Sequence, residues 1–188
     1  YSEELERCRK EYFEVLKNVA LFKGIKEDEL SGMLSCLKAR VLCYDNNQPV
    51  FLDGDEAKEL GIVLSGTVNI IKEDYYGNRS IVAKVSPSQI FAEAYACADA
   101  KTFPISVIAC ERSEIMLIDC KHIITTCSNS CEYHNKLIYN LLHVVADKNL
   151  LLNQKIELMS KRTTKEKLLS YLLSQAKKTN SNTFTIPF

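Results

Sequence analysis

Apolar side chains at the start of the chain recur at steps of three and four residues among charged neighbours, a spacing typical of an amphipathic helix. They are Leu5, Cys8, Tyr12, Val15, Leu16 and Val19. A second helix is predicted after Gly24, because the acidic residues 27–29 suit a helix N-terminus. Its buried stripe consists of Leu30, Met33, Leu34 and Leu37. The chain therefore opens with two helices.

Between Val41 and Asp119 the helical spacing gives way to short β-branched runs. The predicted strands are Arg40–Tyr44, Val50–Leu52, Gly61–Leu64, Thr67–Lys72, Ser80–Val85, Ser106–Cys110 and Glu114–Ile118. Asp53-Gly54, Ser65-Gly66 and Tyr76-Gly77-Asn78 fall between these runs and suit turns. This texture is typical of an antiparallel barrel or jelly roll.

After Asp119 the pattern is helical again, first in a short piece at Lys121–Cys127 and then in a long run from Cys131 to Met159 without Gly or Pro. Two adjoining columns with a seven-residue repeat follow the long run, and they are Leu137, Val144, Leu151, Leu158 and Ile138, Val145, Leu152, Met159. We expect one column to face the chain's own β-domain and the other a second copy of the helix. A wide core stripe in a monomer is the alternative. The predicted dimer interface is Leu137, Ile138, Leu141, Val144, Val145, Leu151, Leu152 and Leu158.

A last helix is predicted after Thr163, which forms a capping-box spacing with Glu166. Its apolar residues are Leu168, Leu169, Leu172 and Leu173. That face would lack a partner if nothing followed Phe188, and a large exposed apolar face is costly. We therefore expect a further domain after the last helix.

Charge and composition narrow the class of protein. Basic and acidic side chains balance at 24 each, so no whole-chain field attracts nucleic acid, but residues 155–178 hold seven basic against two acidic residues. The longest apolar stretches are far shorter than the roughly 20 residues of a membrane span, and no secretory signal is apparent. The eight cysteines are expected to be reduced thiols, several of them packed as small apolar groups. We expect a cytoplasmic protein without membrane association.

Several motifs, in their order and spacing, resemble the Crp/Fnr family. They are Leu21-Phe22-Lys23-Gly24-Ile25, Phe51-Leu52-Asp53-Gly54-Asp55, Ile62-Val63-Leu64-Ser65-Gly66-Thr67-Val68, the hairpin residue Gly77, Ile90-Phe91-Ala92-Glu93 in place of the family's effector cassette, and residues 162–173. The resemblance covers nearly the whole chain.

The resemblance implies an α+β fold, in which an antiparallel β-roll (a double-stranded β-helix, or jelly roll) is flanked by helices and followed by a long dimerisation helix. It implies a sensor domain at residues 1–130 with the N-terminal helices and a cyclic-nucleotide-binding-type β-roll. A dimerisation helix at 131–160 and the truncated beginning of a winged helix-turn-helix domain at 161–188 follow. The expected function is an effector-responsive, DNA-binding transcription regulator that lacks its recognition helix here. The expected partners are a second copy, double-stranded DNA through the missing domain, RNA polymerase and a small-molecule effector.

The effector cassette departs from the family pattern. Ser88 and Ala92 stand where glycines are usual, and Phe103-Pro104 stands where an arginine and a hydroxyl residue hold the cyclic phosphate. Pro104 has no N–H to donate and Phe103 cannot pair with an anion. The sequence therefore predicts weak or no binding of cyclic AMP and a less polar, unknown effector. The predicted effector residues are Ile90, Phe91, Glu93, Phe103, Pro104, Ser106, Asn149 and Asn153.

Other chemistry is less well supported by the sequence. Three cysteines and two histidines, Cys120, Cys127, Cys131, His122 and His134, are close enough in sequence to suggest a metal or iron–sulfur site, but their spacing matches no tight ligand motif. Haem ligation by a histidine is a further alternative, and we expect no metal and no certain cofactor. A ligand-binding module of another protein is the alternative function. A cupin-like small-molecule domain is a third, although the histidine and glutamate cluster of a cupin enzyme is missing, so we expect no catalysis.

Overall fold

The computed structural model describes residues 12–98, 100–125, 132–181 and 183–185 of the chain. Residues 12–16 are helical, and a 3₁₀ turn follows at Ala20–Phe22. The strands are β1 Arg40–Tyr44, β2 Pro49–Phe51, β3 Glu59–Ser65, β4 Val68–Glu73, β5 Arg79–Val85, β6 Ile90–Phe91, β7 Ser106–Ala109 and β8 Ser113–Asp119. The helices are α1 Glu27–Cys36, α2 Glu93–Cys97, α3 Cys120–Ile124, α4 Glu132–Met159 and α5 Thr164–Thr179.

The strands form two four-stranded sheets, one in the order β1-β8-β3-β6 and the other in the order β2-β7-β4-β5. Every strand pair is antiparallel. The predicted α+β fold with an antiparallel jelly roll is therefore confirmed. Positive φ at Gly66, 74°, makes the turn between β3 and β4, and a Cβ there would lie 2.3 Å from the Ser113 hydroxyl oxygen. The Ser65-Gly66 turn is thus one that only glycine fits.

The seven strands predicted from the sequence are present, with ends that shift by two residues at most. Only β6 was missed, because two residues are too few to show an alternating pattern. It pairs with β3 through Gly61 opposite Phe91 and Ile62 opposite Ile90. The first predicted helix is present where the structure describes it, whereas Leu5 and Cys8 lie outside the described residues.

The sheet that contains β3 and β8 is covered on both faces. Leu60, Ile62 and Leu64 point from β3 into a helix-side core that also holds Leu34 of α1, whereas Val63 points into an interior core between the two sheets. β8 divides in the same way, with Met116 and Ile118 on the helix side and Ile115 and Leu117 inside. Strands buried on both faces appear as continuous apolar runs, which explains the uninterrupted sequence Leu60 to Leu64.

The beginning of α4 belongs to the helix-side core. Leu137, Leu141 and Val144 are buried there beside the short helix α3. The Asn140 amide donates to the carbonyls of Leu21 and Lys23, at 2.9 Å each, and fixes α4 to the turn before α1. The predicted long helix is confirmed from Glu132, while Cys131 lies outside the described residues.

The chain divides into two compact units, with the boundary in sequence between Val145 and Ala146. The second unit contains the end of α4 and all of α5. The capping box predicted for α5 is confirmed, because the Glu166 N–H donates to the Thr163 hydroxyl at 3.2 Å and the Thr163 N–H donates to the Glu166 carboxylate at 3.0 Å. Among the residues that the structure describes, no helix combines the length and hydrophobicity needed to cross a bilayer.

The expectation of reduced thiols is wrong for one pair of cysteines. Cys97, at the end of α2, and Cys120, at the start of α3, form a disulfide with their Cα atoms 5.9 Å apart. Twenty-three residues separate the two in sequence, so no local pattern announces the pair. Cys43 and Cys110 are free thiols, as expected.

Close packing of Phe91 on β3 predicts the effect of one substitution. An alanine methyl at position 61 would lie 2.1 Å from the Phe91 ring, so we expect Gly61→Ala to lower the free energy of unfolding by about 1–3 kcal/mol. Gly32→Ala is the control, because a methyl on this residue of α1 meets nothing within 4 Å. The control should gain about 0.5–1 kcal/mol from its higher helix propensity. Urea unfolding measures both, and an unchanged midpoint for Gly61→Ala would contradict this packing.

Candidate effector site

Four aromatic side chains fill one end of the interior core, and we call them the aromatic cluster: Phe51, Phe91, Tyr95 and Phe103. Phe51 and Phe103 stack with ring centroids 4.7 Å apart, and Phe91 lies tilted against Phe51 at 5.9 Å. The Tyr95 ring meets Phe103 edge-on at 6.2 Å. Both geometries are favourable for aromatic pairs. The three phenylalanines are at most 7% exposed, so they form a packed apolar surface inside the roll.

Backbone hydrogen bonds hold Phe103 in this cluster. Its N–H donates to the Asp55 carbonyl at 2.8 Å, and its carbonyl accepts from the Gly54 N–H at 2.9 Å. The Asp55 carboxylate in turn accepts from the Leu52 N–H at 2.7 Å. The segment that carries Phe103 is therefore bonded to the glycine turn at 53–55, and Thr102 forms an isolated β-bridge with Glu56. Because both sides of Phe103 are bonded, its ring is placed by the backbone as well as by packing.

Two residues of the cassette adopt the left-handed conformation that usually selects glycine. Ser88 has φ 68° and Ala92 has φ 64°. The Ser88 N–H donates to the Val63 carbonyl at 2.9 Å, and its hydroxyl donates to the Val15 carbonyl at 3.1 Å. The Ala92 methyl is buried in the interior core. The chain thus keeps the backbone turns of the cassette without glycines, at a cost of order 1–3 kcal/mol for each strained residue.

Acidic and basic side chains differ in their burial near the site. Glu93, the first residue of α2, is 3% exposed, whereas every lysine and arginine that the structure describes is exposed or half-buried. Burial also raises the pKa of the Tyr44 hydroxyl in the interior core, with Arg40 opposing that shift, so this phenol stays neutral at physiological pH. The described part of the interior therefore offers no cation for a phosphate.

The structure brings Phe91 and Phe103 together but separates other predicted effector residues from them. Ile90 points into the helix-side core, because adjacent strand residues face opposite sides. Ser106 lies on the outer face of its sheet, where its hydroxyl accepts from the Asp53 N–H at 3.0 Å. Pro104 is exposed. Contact of these residues with an effector stays a prediction.

Asn149 and Asn153 are also predicted effector residues. They lie on α4 in the second unit, where the Asn153 amide donates to the Asn149 side-chain oxygen at 3.0 Å. Both side chains are exposed. Their effector role also stays a prediction.

The predicted dimer residues divide into two groups along α4. Leu137, Leu141 and Val144 are buried within their own chain, and Ile138 is half-buried. Val145, Leu151 and Leu152 are exposed, and Leu158 is half-buried. In the second unit, Leu151 and Leu158 line a groove of about 620 Å³ together with Leu173 of α5. Intrachain packing thus occupies the first turns of α4, and apolar surface is available from Val145 onward.

No cluster of three or more histidine, cysteine or carboxylate side chains with metal-binding geometry occurs among the described residues. Cys120 is bonded to Cys97, and the His134 ring nitrogen Nε2 lies 3.2 Å from the His122 carbonyl oxygen. Cys127 and Cys131 lie outside the described residues.

Sequence reasoning missed Phe51 and Tyr95 as members of the cluster. Phe51 had a usable signal, since it is the last residue of a strand before a glycine turn and alternates with the exposed Pro49. Tyr95 had none, because α2 is a helix of five residues and too short for a periodic stripe.

Comparison with known proteins places this site in a defined fold. Residues 41–130 match the family described as the cyclic nucleotide-binding domain. The cyclic AMP receptor protein of Thermus thermophilus is 27% identical over 103 residues, which are 55% of this chain and 46% of the relative. The match thus spans about half the length of that curated relative.

Solved structures show the same fold. The catabolite activator protein of Thermus thermophilus superposes with a TM-score of 0.63 at 22% identity, over 75% of this chain and 63% of that one. The sensor domain of the transcriptional regulator DNR from Pseudomonas aeruginosa gives 0.62 at 20% identity, over 83% and 97%. A cyclic nucleotide-binding domain from Methylobacillus flagellatus gives 0.68 at 19% identity, over 84% and 88%.

Proposed function

From a cyclic nucleotide-binding fold at residues 41–130, we propose that the chain is the effector-sensing and dimerising part of a cytoplasmic, DNA-binding transcription regulator of Crp/Fnr type. The observation that carries the proposal is the 28-residue helix α4, which begins in the sensor core and continues as an exposed apolar stripe. An effector would act by changing how two such helices pack. RNA polymerase is the partner expected downstream, and the proposal includes no catalytic step.

The effector that fits the site best is a small, largely apolar molecule. A cyclic nucleotide brings an anionic diester, which needs a guanidinium or several free N–H groups. The described interior offers stacked phenylalanines and a buried carboxylate at Glu93 instead.

We therefore expect cyclic AMP to show no binding in the submicromolar range at physiological salt. Isothermal titration calorimetry of residues 1–188 measures this directly, with the cyclic AMP receptor protein of Thermus thermophilus as the positive control. A submicromolar dissociation constant would show that Phe103 and its neighbours move aside to admit a phosphate, and would overturn the proposed effector class.

The dimer surface follows from the second part of α4. At about 100° per residue, Val145, Leu152, Ile156 and Met159 share one side of the helix, and they are 36%, 58%, 65% and 67% exposed. A different side, with Leu151 and Leu158, faces the groove beside α5. An apolar stripe of this length on a monomer surface is unfavourable. The same stripe of a second copy is a self-complementary cover for it.

We expect Leu152→Glu to convert the dimer to monomer at micromolar concentration, because each copy would bury an unpaired charge in the seam. Gln154→Glu is the control, since it adds the same charge about 200° around the same helix. Sedimentation velocity distinguishes the two outcomes. A dimeric Leu152→Glu variant, or a monomeric parent chain, would contradict a dimer held along this stripe.

The DNA-binding part of the proposal rests on α5 and the basic residues around it. Residues 162–173 resemble the helix that opens the family's DNA-binding domain, and the capping box fixes where α5 begins. Seven basic residues lie between 155 and 178, where they can meet phosphates. Phosphate contacts position a protein on DNA but carry no base information. Base readout needs a recognition helix in the major groove, and the described residues after Thr179 contain no helix.

We expect residues 1–188 to bind duplex DNA weakly, with strong salt dependence and no sequence preference. We expect the complete gene product to bind a two-fold symmetric site, because a symmetric dimer presents two equal reading heads. Selection from a random duplex pool with both proteins tests this. Enrichment by residues 1–188 alone would overturn the placement of the DNA-reading helix, and no enrichment by the complete product would favour a ligand-binding module of another kind.

A further inference from the structure

A pair of cysteines lies in the helix-side core, on elements that adjoin the effector cassette in sequence or pair with its sheet. Cys97 is the last residue of α2 and Cys120 is the first residue of α3. Their Cα atoms are 5.9 Å apart, a separation that an unstrained cystine can span. The Cys120 side chain is 1% exposed, whereas Cys97 is half-buried. One sulfur is therefore protected by the core, and the other lies at the edge of the core, nearer to solvent.

Each cysteine is fixed to a different part of the sensor. The Cys120 N–H donates to the Lys58 carbonyl at 3.0 Å, directly after β8 pairs Asp119 with Glu59 of β3. Cys97 ends the short helix that begins at the strained residue Ala92 and presents Tyr95 to Phe103. The Cys97–Cys120 bond thus links the five-residue helix α2 to the end of β8. β8 is paired along its length with both β1 and β3.

We propose that Cys97 and Cys120 are a reversible thiol–disulfide site that sets how firmly α2 is held in the effector site. The oxidant is a small disulfide of the oxidised glutathione class. The Cys97 thiolate attacks one sulfur of this disulfide, forming a mixed disulfide and releasing one thiolate. The Cys120 thiolate then attacks the Cys97 sulfur, forming the Cys97–Cys120 bond and releasing the second thiolate. The two protons of the protein thiols end on the two released thiols, and the reverse exchange with two thiols reduces the bond.

That the bond is reversible and not a permanent structural cystine rests on the proposed function, which places the protein in the reducing cytoplasm. Disulfides in reducing compartments are usually transient and redox-sensing. The half-buried Cys97 gives an attacking thiol a point of entry. The redox state of the pair is measured without effector or DNA, so its failure is distinguishable from failure of the regulator proposal.

A glutathione titration tests the site. Residues 1–188 are equilibrated in a series of buffers from reduced to oxidised glutathione, then quenched with acid and alkylated. Mass spectrometry of the cysteine peptides then shows which thiols were alkylated and which were bonded. We expect Cys97 and Cys120 to pass together from alkylated to bonded within the series, while the exposed thiol Cys43 stays accessible to alkylation in the same buffers. A pair that remains bonded even in reduced glutathione alone would be a structural cystine. A pair that remains alkylated throughout would be two packed thiols. Either result overturns the proposal.

Hydrogen exchange tests the effect on α2. In the parent chain we expect amides 93–97 to exchange at least about tenfold more slowly in oxidised than in reduced buffer, as expected for a locally tethered segment. The melting temperature should be roughly 6–12 °C higher in oxidised buffer for a closed loop of this length. Cys97→Ser, at the half-buried position, should show the reduced behaviour in both buffers, and Cys43→Ser should respond like the parent. Equal exchange of α2 in the two buffers would show that the bond does not control this helix.

Discussion

The strand pair β3 and β8 is the constraint on which the rest of the structure depends, because these strands are buried on both faces. Alternate residues of β3 and β8 supply apolar side chains to the helix-side core and to the interior core at once. The helices cover one face and the second sheet covers the other. Gly61 makes this possible at the point where the Phe91 ring lies directly on β3. Both the site and the start of the long helix are therefore built on one central layer.

The same sheet also contributes to the lining of the interior core. Phe91 enters the interior from this sheet, Phe51 and Phe103 approach from the opposite side, and their rings close on one another. The cassette keeps its turns at Ser88 and Ala92 by accepting left-handed conformations. A roll with the cyclic nucleotide-binding fold is thus combined with a packed aromatic lining, and the proposed class of ligand rests on that lining.

The two parts of the helix α4 differ in the burial of their apolar side chains. Its first turns are fixed by burial of Leu137 and Leu141 and by the two hydrogen bonds of Asn140. Its later turns carry an apolar stripe that the chain does not cover. In the proposed regulator, this helix is the element that would link the effector site to a second copy.

Local pattern alone determined seven of the eight strands to within two residues and the capping box at Thr163, because these depend on residues a few positions apart. It missed the two-residue strand β6 and the short helix α2, and it placed the end of α3 beyond Ile124, where the structure ends it. The family's turn residues also indicated the roll. The tertiary structure decided which side of a strand each residue faces, and it placed Ile90 and Phe91 in different cores although they are neighbours in sequence. It also paired Cys97 with Cys120 and divided the apolar columns of α4 between core and surface. These outcomes depend on contacts between segments far apart in sequence, and no local spacing encodes such contacts.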